Sequence, residues 1–67
     1  MKADRVEVVR DEHRKNWLIR IQVGDEVIRR YCKEPADASQ ETLRAAALKT
    51  VGDEGYTVDP SNIVFQH

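Results

Sequence analysis

Cys32, His13, His67, Ser39 and Ser61 are the side chains whose types suit nucleophilic or acid–base chemistry. Cys32 stands near Arg29, Arg30 and Lys33, and neighbouring cations lower a thiol's pKa toward the reactive thiolate. A general base has to be held rigidly and partly buried. His13 instead lies in Asp11–Asn16, a run of polar residues, and His67 is the last residue of the chain. Ser39 precedes a helix-forming stretch and Ser61 follows Asp59-Pro60, places where a hydroxyl caps or turns the backbone. No His, Cys, Asp or Glu spacing suits a metal, and three scattered glycines make no phosphate loop. No catalytic, cofactor or metal site is therefore expected, and the chain reads as a non-enzyme.

The elements around these residues are legible from their periodicity. Arg5-Val6-Glu7-Val8-Val9-Arg10 alternates charged and apolar residues, the period of a half-buried strand. Trp17-Leu18-Ile19-Arg20-Ile21-Gln22-Val23 alternates again, with Trp17, Ile19, Ile21 and Val23 on one side. Gly24-Asp25 suits a two-residue hairpin turn, and Glu26–Lys33 supplies a third strand. Pro35 marks the approach to a helix over Ala38–Val51, with Asp37 or Ser39 as N-cap and Asp37-x-x-Gln40 as a capping-box variant. Leu43, Ala46, Ala47, Leu48 and Val51 form its apolar stripe, and Gly52 suits the C′ position. Asp59-Pro60-Ser61-Asn62 is turn chemistry before a short strand at Ile63–Phe65, which Gln66-His67 ends.

A tight Gly24-Asp25 turn sets the register: Val23 opposite Glu26, Ile21 opposite Ile28, Ile19 opposite Arg30, Trp17 opposite Cys32. Cys32 then points inward as a small core residue, with Val6, Val8, Trp17, Ile19, Ile21 and Ile28. The expected architecture is a two-layer α+β sandwich, β-β-β-α-β, its mostly antiparallel sheet covered on one face by the helix. A strand–helix–strand crossover places the last strand parallel to the first, in spatial order 3-2-1-4.

At 67 residues the chain is a single small domain spanning residues 1–67. Eleven basic residues against twelve acidic ones provide no global field toward nucleic acid or membrane. No apolar run is long enough to span a bilayer, Met1-Lys2-Ala3-Asp4-Arg5 does not read as a signal peptide, and one cysteine fits a reducing cytoplasm.

The element order, with Gln40-Glu41-Thr42-Leu43-Arg44-Ala45-Ala46-Ala47-Leu48 opening the helix, resembles the truncated ribonuclease H-like fold of HicB-type antitoxins. In a ribonuclease H, carboxylates on the first strand, the first helix and the end of the fourth strand bind two metal ions. Glu7 and Glu41 stand at the first two of those places, but the fourth strand ends in Gln66-His67. The resemblance thus implies the fold without nuclease activity. Asn16-Trp17-Leu18-Ile19-Arg20-Ile21, with Arg29-Arg30-Tyr31 after a Gly turn, is also similar to the three-stranded arm-binding domains of phage-type integrases. That likeness implies DNA contacts from Arg20, Arg29 and Tyr31.

Function is expected on the sheet face that the helix leaves open. Val9, Leu18, Arg20, Val27, Arg29 and Tyr31 are the candidate interaction residues, mixing aliphatic, Arg and Tyr side chains of the kind found at interfaces. The first expectation is a small accessory or self-associating module that binds a protein partner or a second copy. The second is nucleic-acid binding through Arg20, Arg29 and Tyr31. Against both stands a purely structural role, in which Arg20 and Arg29 pair with Glu7 across a solvated face.

Overall fold

The alternating segments become strands where the periodicity places them. The computed structural model describes residues 1–66. It contains β1 (Arg5–Asp11), β2 (Asn16–Val23), β3 (Glu26–Cys32), α1 (Gln40–Asp53), a 3-10 turn at Pro60–Asn62 and β4 (Ile63–Gln66). His67, the proposed end of the last strand, lies outside the described residues. The sheet order is β3-β2-β1-β4, with β1 antiparallel to β2 and parallel to β4. The Cα radius of gyration, 10.9 Å, is that of a compact chain of this length.

The hairpin register follows the turn. Val23 pairs with Glu26, Ile21 with Ile28, Ile19 with Arg30 and Trp17 with Cys32. Gly24 carries the positive φ (59°) required at the first central position of a turn matched to the sheet's twist. Its N–H donates to Asp4 Oδ2 at 2.7 Å, and the Asp4 N–H donates to the Gln22 carbonyl at 2.8 Å. The segment before β1 thus clamps the hairpin end.

The helix begins later and ends later than its composition predicts. Residues 35–38 form a turn closed by Ala38 N–H to the Pro35 carbonyl (3.0 Å), so Pro35 does not open the helix. Ser39 is the N-cap, its hydroxyl accepting the Thr42 N–H, while Asp37 stands too early to form a capping box. At the other end Gly52 remains helical, and Gly55 (φ 87°) takes the left-handed C′ position instead. Tyr56 N–H donates to the Val51 carbonyl and Gly55 N–H to the Gly52 carbonyl, each at 3.0 Å. This is the Schellman pattern, displaced three residues from the glycine that the sequence favours.

The core lies between α1 and one sheet face. Val6, Val8, Trp17, Ile19 and Ile21 meet Leu43, Ala47 and Val51 there, all essentially sealed from water. Ile28 and Cys32 pack at its margin, and Leu48, expected in the helix stripe, is 39% exposed. Ala3 and Val58 join the core unforeseen by periodicity. Ala3 N–H donates to the Thr57 carbonyl (2.7 Å) and Thr57 N–H to the Met1 carbonyl (2.9 Å), tying the first residues beside the loop after α1.

Capping also governs the last turn. Asp59 accepts the Ser61 N–H at 3.0 Å and its hydroxyl at 2.8 Å, and these bonds hold its carboxyl below the ordinary aspartate range. A lowered folded-state pKa means that this tether is complete above the ordinary range. It is lost only as pH falls through the lowered value.

Candidate interaction surface

Side chains of β1, β2 and β3 at odd positions of β1 and β3, and at even positions of β2, share the face opposite the helix. The pairings arrange them in rows across the sheet. One row runs Tyr31, Leu18, Val9, Gln66; the next runs Arg29, Arg20, Glu7, Val64; a third runs Val27, Gln22, Arg5. All six sequence-predicted residues, Val9, Leu18, Arg20, Val27, Arg29 and Tyr31, therefore lie on one continuous face. Tyr31 is the most exposed apolar member at 45%, while Val9, Leu18 and Val27 are half-buried among their neighbours.

Glu7 organises the middle row. Its carboxylate faces Arg20 Nη1 at 3.6 Å and Arg5 Nη2 at 3.4 Å, and it accepts from Gln66 Nε2 at 2.8 Å. Arg20 is thus paired as a structural role requires. Arg29 is not: it stands directly opposite Arg20, one strand farther from Glu7, and its guanidinium has no ion-pair partner among the described residues. Like charges directly opposite one another destabilise a sheet, so this pair is a local cost of the fold.

The loop between β1 and β2 contributes a residue that the sequence left as solvated. Asp11 Oδ1 accepts the N–H groups of His13 and Arg14, each at 3.1 Å, and Lys15 adopts φ 56° to close the turn. This geometry lays the Arg14 guanidinium over the Tyr31 ring, 4.9 Å from its centroid. Asp11 before a polar run is the sequence signal of that turn, but the strand spacing alone does not show where Arg14 lands.

Arg30, on the helix side of the outermost strand, is held twice. Its Nη1 donates to the Arg29 carbonyl and its Nη2 to Glu54 Oε1 at the end of α1, both at 2.7 Å. Those contacts also explain why Cys32 is not activated. Arg29 points to the opposite face, and Arg30 is engaged by Glu54. Burial pushes the Cys32 thiol up, the Glu34 carboxylate pushes it further, and a backbone hydrogen bond at Glu34 only partly opposes them. This is the setting of the ordinary inward-facing residue that the register implies, and the lowering that nearby cations could bring does not occur. Alkylation of Cys32 by iodoacetamide near neutral pH should be several-fold slower in the native protein than in the urea-unfolded chain. A native rate equal to or above the unfolded one would contradict this environment.

Among the described residues no pocket opens into the molecule, and no three His, Cys, Asp or Glu side chains gather as a metal would require. His13 is exposed in the loop, and Ser39 and Ser61 are engaged as cap and turn residues. No helix among these residues is long and apolar enough to cross a membrane. No protein-family model matches the chain, and neither the curated proteins nor the solved structures provide a match.

Proposed function

We propose that this protein is a small non-catalytic interaction module that binds through the open face of its sheet. The observation that carries this is the cross-sheet row in which exposed Tyr31 adjoins Leu18 and Val9, with the unpaired Arg29 beside it. Aromatic and Arg side chains are enriched at interfaces, and apolar side chains grouped on an uncovered face mark contact surfaces. The resemblance to HicB-type antitoxins read from the sequence points the same way, since that likeness implies an accessory protein acting on a partner.

The test compares the parent with Leu18→Glu and Tyr31→Ala, using light scattering over a range of concentrations and capture of partners from the native host. Association with a second copy or another protein should be lost in both variants while their thermal melts remain cooperative. Variants that behave like the parent in every assay would remove the open face from consideration.

Nucleic-acid binding through Arg20, Arg29 and Tyr31 is the second reading, favoured by the guanidinium of Arg29, which has no ion-pair partner among the described residues. It requires affinity that falls with salt at a log–log slope of roughly −0.9 per neutralised phosphate. Arg29→Ala would reduce that slope by about one.

A further inference from the structure

We infer that the open face takes an acidic segment of a separate protein, one that places a carboxylate against Arg29 and an apolar side chain on the Tyr31–Leu18–Val9 row. This deepens the interaction reading above and rests on it. Three features select the occupant. The first is charge: among the described residues Arg5, Arg14, Arg20 and Arg29 lie on this face with Glu7 and Asp11, although acidic residues slightly outnumber basic ones in the whole chain. Both carboxylates are already committed, Glu7 to Arg5, Arg20 and Gln66, and Asp11 to the loop backbone and, at 3.9 Å, to Arg14, which leaves the charge of Arg29 unanswered among the described residues. The face is thus complementary to added negative charge.

The second feature disfavours a second copy. Stacking two such faces brings one surplus of guanidinium groups against another, a like-charge juxtaposition that opposes association. The third disfavours nucleic acid. A single-stranded backbone is held by a continuous basic track and by bases stacked on open aromatic rings. Here Glu7 interrupts the charged row, and one face of the Tyr31 ring, the sole Phe, Trp or Tyr ring on this surface among the described residues, is covered by Arg14. Aliphatic Val9 and Leu18 suit an aliphatic or aromatic protein side chain instead. Arg29 itself stands opposite Arg20 at a cost to folding, the kind of local conflict that function retains.

The experiment is a titration of the ¹⁵N-labelled full chain with three probes: a glutamate-rich peptide bearing two leucines, the same peptide with alanine in place of leucine, and oligothymidylate. The leucine peptide should shift the amide resonances of Leu18, Arg20, Arg29 and Tyr31 and leave the α1 resonances in place. The alanine peptide should bind about tenfold more weakly, and so should the leucine peptide to Arg29→Glu. That variant replaces a repulsive cross-strand pair with an attractive one, so its melting temperature should be no lower than the parent's. Tighter binding of oligothymidylate than of the leucine peptide would overturn the inference in favour of nucleic acid. No response to the peptides, with dimerisation through the same resonances, would overturn it in favour of self-association and leave the interaction reading standing. No response to any probe from a monomer that captures no partner would remove both.

Discussion

Trp17→Ala should cost about 3–5 kcal/mol and leave the domain close to its unfolding midpoint in dilute buffer. Trp17 is 1% exposed, opens β2 on the helix-facing side, and buries an indole that removes roughly 150–250 Å² from water. It also closes the linker between β3 and α1, because its Nε1–H donates to the Pro35 carbonyl at 3.0 Å. Arg10 lies over the ring at 5.4 Å and shields it from the loop side. Circular dichroism in urea is the measurement, with Trp17→Phe as the partner variant. Phenylalanine keeps most of the ring volume but leaves the Pro35 carbonyl without this donor, a loss of about 1–2 kcal/mol. The indole's emission in the parent should be blue-shifted and poorly quenched by iodide. An Ala variant that melts like the parent would mean that this side chain does not seal the seam.

Ala47→Leu should destabilise by about 1–3 kcal/mol although it adds apolar surface. Ala47 is fully sealed between α1 and the sheet, and no pocket adjoins it that an isobutyl group could fill. Extra methylenes there push the helix away from the sheet or force strained rotamers. Leu48 is the contrast on the next position of the same helix. It projects 39% into solvent, so Leu48→Ala should change stability by only about 0.5 kcal/mol. Urea midpoints of the two variants read the comparison directly. If Leu at 47 were tolerated and Ala at 48 were not, the helix would be rotated about its axis relative to the sheet.

Much of this architecture is written in local rules. Period-2 alternation identifies β1 and β2, the Gly24 turn sets the β2–β3 register, and the whole candidate face follows from that register. What escaped the local rules was decided by competition at a distance. Gly52 and Gly55 both offer a left-handed stop. The helix continues to Asp53 because Tyr56 then pairs with the Val51 carbonyl and packs against the core. Leu48 looked like a core residue because three alanines nearby leave the apolar stripe ill defined. Burial at Leu43, Ala47 and Val51 fixes a narrower face. Ala3 enters the core beside a single bridge between Lys2 and Thr57, too short to leave a periodic trace. On the open face, strand spacing located Arg20 and the five other expected residues, but the stacking of Arg14 on Tyr31 depends on the closure of a four-residue loop.

The outermost strand has a consequence for how the protein behaves when crowded. Its Arg29 carbonyl, an acceptor that an incoming chain would use to extend the sheet, is already occupied by the guanidinium of Arg30, which Glu54 anchors. A neighbouring strand would have to break that contact and bring its own backbone between two adjacent cations before gaining a hydrogen bond. Pairing at the β3 edge, a step toward fibrils, is thereby disfavoured by one side chain. Removing that guard by Arg30→Val would supply β propensity and an open acceptor together. The resulting protein would be expected to trade colloidal stability for a stickier edge while its core stayed unchanged.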